Sequence, residues 1–145
     1  MLSAAESVSP TPAVSCALVK AGRLLMVRRR NPPNAGRLAL PGGRVEAGEP
    51  LTATAERELR EETTVEGVAL APLTAIDVID RDDAGRLRFH YVVVVMEMRW
   101  SSGEPVAADD ALDACWMDLA ALQGARQKVC STALAVACRL LGPGK

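Results

Sequence analysis

The spacing of apolar residues changes several times along the chain, and each change marks an element. Ala13 to Val19 and Arg23 to Val27 are apolar runs of strand length, with Ala21-Gly22 suited to a tight turn between them. That pattern predicts a β-hairpin. Arg28-Arg29-Arg30-Asn31-Pro32-Pro33-Asn34-Ala35-Gly36 breaks it, and its prolines and glycine leave a basic loop. Arg37 to Leu40 reads as a short strand stopped by Pro41-Gly42-Gly43. Leu51 to Thr63 lacks Gly and Pro and is rich in Ala, Leu, Glu and Arg. It reads as a helix, with Pro50 suited to the first turn, where no N–H is needed.

Val65 to Asp80 is strand-prone with interruptions, Arg81 to Gly85 is a turn, and Arg86 to Trp100 is the most strand-prone run. Ser101 to Asp110 is a polar loop, Ala114 to Met117 a short strand, and Asp118 a cap for a short helix at Leu119 to Leu122. Gln127 to Leu141 has helical spacing and stops at Gly142-Pro143. The order is β-β-β-α-β-β-β-α, without repeats, linkers or low-complexity blocks. It predicts one mixed α/β domain over residues 13–145, after a flexible tail at 1–12.

Composition narrows the function classes. A length of 145 residues suits one domain. Aromatics are only 3% against 49% hydrophobic residues, so aliphatic side chains must fill the core. A net charge of −1 gives no electrostatic footprint for a nucleic-acid polymer or an anionic membrane. The N-terminus lacks the basic and apolar regions of a signal peptide, and no apolar run has the length of a membrane span. A cytoplasmic protein is expected. Cys16, Cys115, Cys130 and Cys138 show no zinc-site spacing and read as reduced thiols.

The chemistry sits on the helix. On a wheel of about 100° per residue with Leu51 at zero, Glu58 falls near −20°, Glu62 near +20° and Glu61 near −80°. Three carboxylates thus share an arc with the residues expected to face the core. Like charges at these spacings destabilise a helix, and partial burial costs more unless something neutralises it. A hard divalent cation is the natural compensator, because Mg²⁺ takes oxygen ligands and shares itself with phosphates. On the glutamates alone, a solvated acidic face is the plainer reading. The wheel weighs against it, since Glu56 and Arg60 already occupy the outward side. Gly42 and Gly43, just upstream, permit a close backbone approach to a metal or phosphate.

The spacing resembles the Nudix box, G-x5-E-x7-R-E-U-x-E-E-x-G-U with U aliphatic. Gly43 and Glu49 match its start, then Arg57-Glu58-Leu59, Glu61-Glu62 and Val65. Thr64 alone departs, standing where the pattern has glycine. Asn34 to Gly43 resembles the usual lead-in, and Ala114-Cys115-Trp116-Met117-Asp118-Leu119 a late strand of the family. The arrangement is similar to the ADP-ribose pyrophosphatase-like branch.

The resemblance implies an α/β/α sandwich around a mixed sheet, and Mg²⁺- or Mn²⁺-dependent hydrolysis of a nucleoside diphosphate linked to another group. ADP-ribose is the first substrate it suggests and an oxidised nucleoside triphosphate the second. The alternative is a nucleotide-binding regulatory module that does not cleave. The metal would be held by Glu61, Glu62 and Glu58, with the Gly43 carbonyl as a further ligand. Glu58 holds metal or serves as base, and Glu61 and Arg57 complete the catalytic group. Arg57 would orient Glu49 or Glu61 by its bidentate fork.

Arg28, Arg29, Gly42 and the loop acids Asp109 and Asp110 form the expected substrate-contacting set. Asp109 and Asp110 are not separable from sequence, nor is a strand-end basic cluster from a solvated face. His90 is expected to be structural. Some relatives are homodimers, so a homodimer is an open expectation. Thr64 would be strained by roughly 1 kcal/mol in the left-handed backbone usual at that position. It removes no ligand, so activity is expected to survive.

Overall fold

A computed structural model describes residues 8–32, 34–109 and 111–143. Its strands are β1 (Thr11–Lys20), β2 (Arg23–Arg29), β3 (Leu38–Ala39), β4 (Gly42–Arg44), β5 (Glu66–Arg81), β6 (Leu87–Ser102) and β7 (Ala111–Met117). The helices are α1 (Leu51–Thr63), α2 (Leu119–Gly124) and α3 (Ser131–Leu141). Thr11 and Pro12, expected in the tail, already belong to β1; residues 1–7 lie outside the described residues. No helix among the described residues is long and apolar enough to cross a membrane.

The sheet runs β3-β2-β1-β6-β5, with β4 added beside β1 and β7 beside β2. β1 and β6 are parallel; the other pairs are antiparallel. Alternate side chains of a strand face opposite sides, and each side has its own core. Val14, Cys16, Leu18, Leu25, Met96 and Met98 pack with Ala55, Leu59 and Val65 of the α1 side. Ala17, Leu24, Met26 and Val95 pack with Leu122 of α2 and Ala133, Val136 and Ala137 of α3. Helices on both faces of a mixed sheet make the expected α/β/α sandwich.

Four departures from the expected elements have local causes. Gly42-Gly43 does not end the sheet but forms β4, paired as Ser15↔Gly42 and Val14↔Gly43. A Cβ on Gly42 would collide with the Val14 carbonyl, so only glycine permits this approach. α3 begins at Ser131 rather than Gln127, because the chain at Val129 and Cys130 is drawn to β3 by a bridge to Leu38 and a Cys130 N–H bond to the Leu38 carbonyl at 2.8 Å. β5 is one strand of 16 residues whose register shifts flank Pro72. β5 lies at the sheet edge, where proline and bulges are tolerated. β7 begins at Ala111, pairing with Arg29 past a further irregularity.

The helical wheel needs one correction. Leu51, its assumed inward origin, is 36% exposed, whereas Thr54 and Thr63 are fully buried. The buried centre therefore lies towards Ala55, Leu59 and Glu62, and Glu61 falls on the exposed side. Glu56, read as outward, accepts a hydrogen bond from the Ala69 N–H of β5 at 2.9 Å.

Thr64 keeps the left-handed backbone, with φ 64°, and its N–H closes α1 onto the Arg60 carbonyl at 2.9 Å. The altered residue did not reroute the helix end. The cost of holding a β-branched residue there is about 1 kcal/mol.

Candidate active site

The site is built where β1 changes partner. Its C-terminal end pairs with β2, but its N-terminal half pairs with β4, which places the two glycines against α1. The Gly42 N–H donates to Glu62 Oε1 at 2.8 Å. Glu62 is 7% exposed, so this amide supplies a partner to a carboxylate removed from water. The Gly43 backbone lies directly against the Glu58 carboxylate. Gly42, expected to contact substrate, spends its amide on Glu62.

Arg57 joins the other carboxylates. Its Nε and Nη2 donate to the two oxygens of Glu49 at 2.6 and 2.9 Å, a bidentate fork. Its Nη1 donates to Glu58 Oε1 at 2.7 Å and to Glu61 Oε1 at 3.0 Å. Nη2 also donates to the Arg44 carbonyl at 3.1 Å, fixing the guanidinium to β4. The expected choice between Glu49 and Glu61 is thus no choice; Arg57 holds both. Glu49 is further held by the Thr54 hydroxyl at 2.7 Å.

These contacts set the charges. Hydrogen bonds from Arg57 and then Thr54 lower the Glu49 pKa to about 2. Arg57 is itself pushed above its usual range, chiefly by Glu49. Glu58 goes the other way, up to about 7, because burial outweighs the stabilising bond from Arg57. Cys16 lies buried beneath the cluster; burial, then Glu62 and Glu58, hold its thiol protonated.

The raised Glu58 pKa predicts how metal-free protein responds to pH. Its contribution to stability is fully present below the unfolded value near 4.5 and is lost as pH rises through about 7. Glu49 acts oppositely, losing its contribution only as pH falls towards about 2. Between pH 5 and 8 in EDTA, the melting temperature is expected to fall, and Glu58→Gln to flatten the slope. Added Mg²⁺ should raise the melting temperature more at pH 8 than at pH 5.5. A metal-free profile unaffected by Glu58→Gln would refute the assignment.

Glu58, Glu61 and Glu62, though not Glu49, line one wall of a cleft of about 680 Å³. Arg29, Arg30, Asn31 and Arg44 add polar lining, and Ile76, Val78, Tyr91 and Val93 of β5 and β6 form an apolar wall. Asp109 reaches the cleft from the loop before β7; Asp110 lies outside the described residues. Arg28 does not line the cleft. It donates instead to the Gly36 carbonyl at 3.0 Å, clamping the basic loop. Arg30 belongs to the basic run read from sequence, although only Arg28 and Arg29 were singled out from it; Arg44, Glu46 and the apolar wall were missed. Strand alternation was the available signal for separating Arg28 from Arg29. His90 points away from Tyr91 and lies 3.1 Å from Asp77, outside the cleft lining.

The NUDIX domain family matches residues 9–134. The chain belongs to that family. It is 36% identical over 110 residues to an ADP-ribose pyrophosphatase of Methanocaldococcus jannaschii, a match covering 76% of this chain and 63% of that protein. The chain therefore spans less than two thirds of that relative's length. At the same 36% over 110 residues it resembles a putative 8-oxo-dGTP diphosphatase 2 of Mycobacterium tuberculosis, covering 75% and 74% of the two chains. Among solved structures, a MutT NUDIX hydrolase from Burkholderia pseudomallei superposes with a TM-score of 0.77 at 28% identity, over 91% of this chain and 98% of that one.

Proposed function

We propose that this NUDIX protein is a divalent-cation-dependent pyrophosphohydrolase acting on a nucleoside diphosphate joined to a second group. ADP-ribose is the first substrate to test and an oxidised deoxynucleoside triphosphate the second. The observation that carries the reading is the pair Glu58 and Glu61 of α1, tied together through Arg57, with Glu62 beside them on the wall of a cleft with arginines and an apolar face. Of the two relatives, one is named an ADP-ribose pyrophosphatase and the other a putative 8-oxo-dGTP diphosphatase.

The donor set fits a hard cation. Among the described residues no three acidic, Cys or His groups are placed to hold an ion as they stand. Yet Glu58 and Glu61 are close enough to share one Arg57 nitrogen, and burial raises the cost of ionising Glu58. Oxygen donors in excess of their neutralising charge suit Mg²⁺ or Mn²⁺. Glu58, Glu61 and Glu62 would hold the ion, with the Gly43 carbonyl as a further donor. When bound, the cation neutralises phosphate charge and lowers the pKa of an attacking water.

The chain's own residues do the remaining work. Arg57 fixes Glu58 Oε1 and Glu61 Oε1, so their second oxygens are oriented without further ordering. Glu58, held by Arg57 through Oε1, would serve either as one of the ion's donors or, left off the ion, as the base that takes a proton from water. Arg29 and Arg30 place guanidinium groups for phosphate oxygens. The face of Ile76, Val78 and Tyr91 offers a dry surface to the organic part of the substrate. Asp109 supplies a further acid at the cleft rim.

The protein should be incubated with Mg²⁺ or Mn²⁺ and a panel of ADP-ribose, nucleotide sugars, dinucleotides and nucleoside triphosphates. Phosphate-containing product is expected, and it should vanish with EDTA and in Glu61→Gln. Tight binding of one compound without turnover of any would establish the regulatory module instead.

A further inference from the structure

The residue that departs from the family pattern makes a contact that glycine could not. The Thr64 hydroxyl donates to the Glu104 carbonyl at 3.1 Å. Glu104 belongs to residues 103–109, a strap crossing the end of α1. The Val106 N–H donates to the Thr63 carbonyl at 2.8 Å, and the Ala108 N–H to the Glu62 carbonyl at 3.1 Å. Those carbonyls belong to the last turn of α1, where no helical N–H remains to meet them. The next residue, Asp109, has φ 55° and lines the cleft.

The strap has little apolar anchorage. Val106 is 60% exposed, and Glu104 and Ala107 are also exposed. Its position therefore depends on hydrogen bonds, the condition under which a segment opens locally without global unfolding. Its first residue is pressed against the helix end: a Cβ on Gly103 would lie 3.1 Å from the Thr64 carbonyl oxygen. The Trp100 indole N–H donates to the Gly103 carbonyl at 2.9 Å. Lys20 lies over the Trp100 ring at 3.7 Å and near Glu104 at 3.9 Å. An indole thus sits beside the strap and reports its state.

The geometry points to Thr64 as a positioning residue that fastens the strap to the end of α1 and so holds Asp109 at the cleft. Its hydroxyl adds a third tie, next in sequence to the two backbone ties at Glu62 and Thr63. The left-handed backbone that penalises threonine is the one in which this residue spans from the helix end to Glu104. The functional half of the inference rests on the proposed part of Asp109 in the reaction. The structural half does not.

Four variants test it: Thr64→Gly, Thr64→Ser, Thr64→Val and Asp109→Asn. Amide hydrogen exchange and tryptophan emission are read on the metal-free protein, and turnover on ADP-ribose with Mg²⁺, or on whichever panel compound is cleaved. Thr64→Gly relieves the backbone but loses the tie. It is expected to melt no lower than the parent, yet exchange the Val106 and Ala108 amides about three- to tenfold faster, the weight of one net hydrogen bond.

The emission of Thr64→Gly should shift, and its kcat fall in proportion to the lost fraction of closed strap, by at most the same factor, with KM little changed. Thr64→Ser keeps the hydroxyl and should match the parent in exchange and kcat. Thr64→Val should lose both the tie and stability. In an Asp109→Asn background, Thr64→Gly should cause no further loss of kcat. Parent-like exchange at Val106 and Ala108 in Thr64→Gly overturns the inference, as does a kcat loss that multiplies independently with that of Asp109→Asn. If Asp109→Asn leaves turnover unchanged, the role of Asp109 and the positioning role of Thr64 fall together, whereas absence of turnover on every panel compound defeats the proposed function and leaves the exchange result to decide the strap.

Discussion

Replacing Arg57 with alanine is expected to lower kcat by at least about a hundredfold, the penalty for catalytic groups displaced by about an ångström. The reason is the number of groups that one guanidinium serves. It holds both oxygens of Glu49, one each of Glu58 and Glu61, and the Arg44 carbonyl of β4. Without it, Glu58 and Glu61 repel each other, and Glu49 loses the main cause of its depressed pKa. Arg57→Lys should rescue little, because an ammonium cannot reproduce a planar fork. Steady-state kinetics with titrated Mg²⁺ would show the loss as weaker metal activation together with lower kcat. A Lys variant within a few-fold of the parent would show that charge alone, without the fork, organises the site.

α1 was legible because its information is local. Box spacing, absence of breakers and the position of Pro50 are read within one short window. Glu58 and Glu62 were correctly set towards the buried side, but Glu61 was not, since the wheel was anchored on Leu51. The letters misled there: apolar Leu51 is 36% exposed, whereas Thr54 and Thr63 are buried. Both threonines satisfy their hydroxyls at once, Thr54 on Glu49 and Thr63 on the Leu59 carbonyl, which is how polar residues come to fill the core face.

The rest of the site depends on pairings between distant parts of the chain. Ile76 and Tyr91 reach the cleft wall because β5 pairs with β6 and β6 runs parallel to β1, registering Thr11 with Tyr91. No local pattern encodes that register. The period-two rule did contain unused information. Arg28 and Arg29 are neighbours at the end of β2 and cannot share a face, and the structure puts Arg29 and the loop residue Arg30 on the cleft.

The two glycines of β4 should fail in different ways when each gains a methyl group. At Gly43 the new Cβ would fall inside the Glu58 carboxylate, with even the farther oxygen only 3.0 Å away. A carboxylate is the mobile end of a side chain, so it can move aside and the fold should survive. Glu58 would then leave the orientation set by Arg57, and Gly43→Ala is expected to lose at least about a hundredfold in kcat while melting within a few degrees of the parent. At Gly42 the obstacle is backbone: the Val14 carbonyl, with the Ser15 Cα at 2.9 Å. Neither can yield without parting β4 from β1, so Gly42→Ala should lose about 1–3 kcal/mol of stability, the usual cost of overpacking. It would also draw the amide away from Glu62. Thermal melts beside Mg²⁺-activated turnover separate the cases: Gly43→Ala folded and inactive, Gly42→Ala destabilised. A Gly43→Ala protein with parent-like kcat would mean that the Glu58 carboxylate need not lie where Arg57 now holds it.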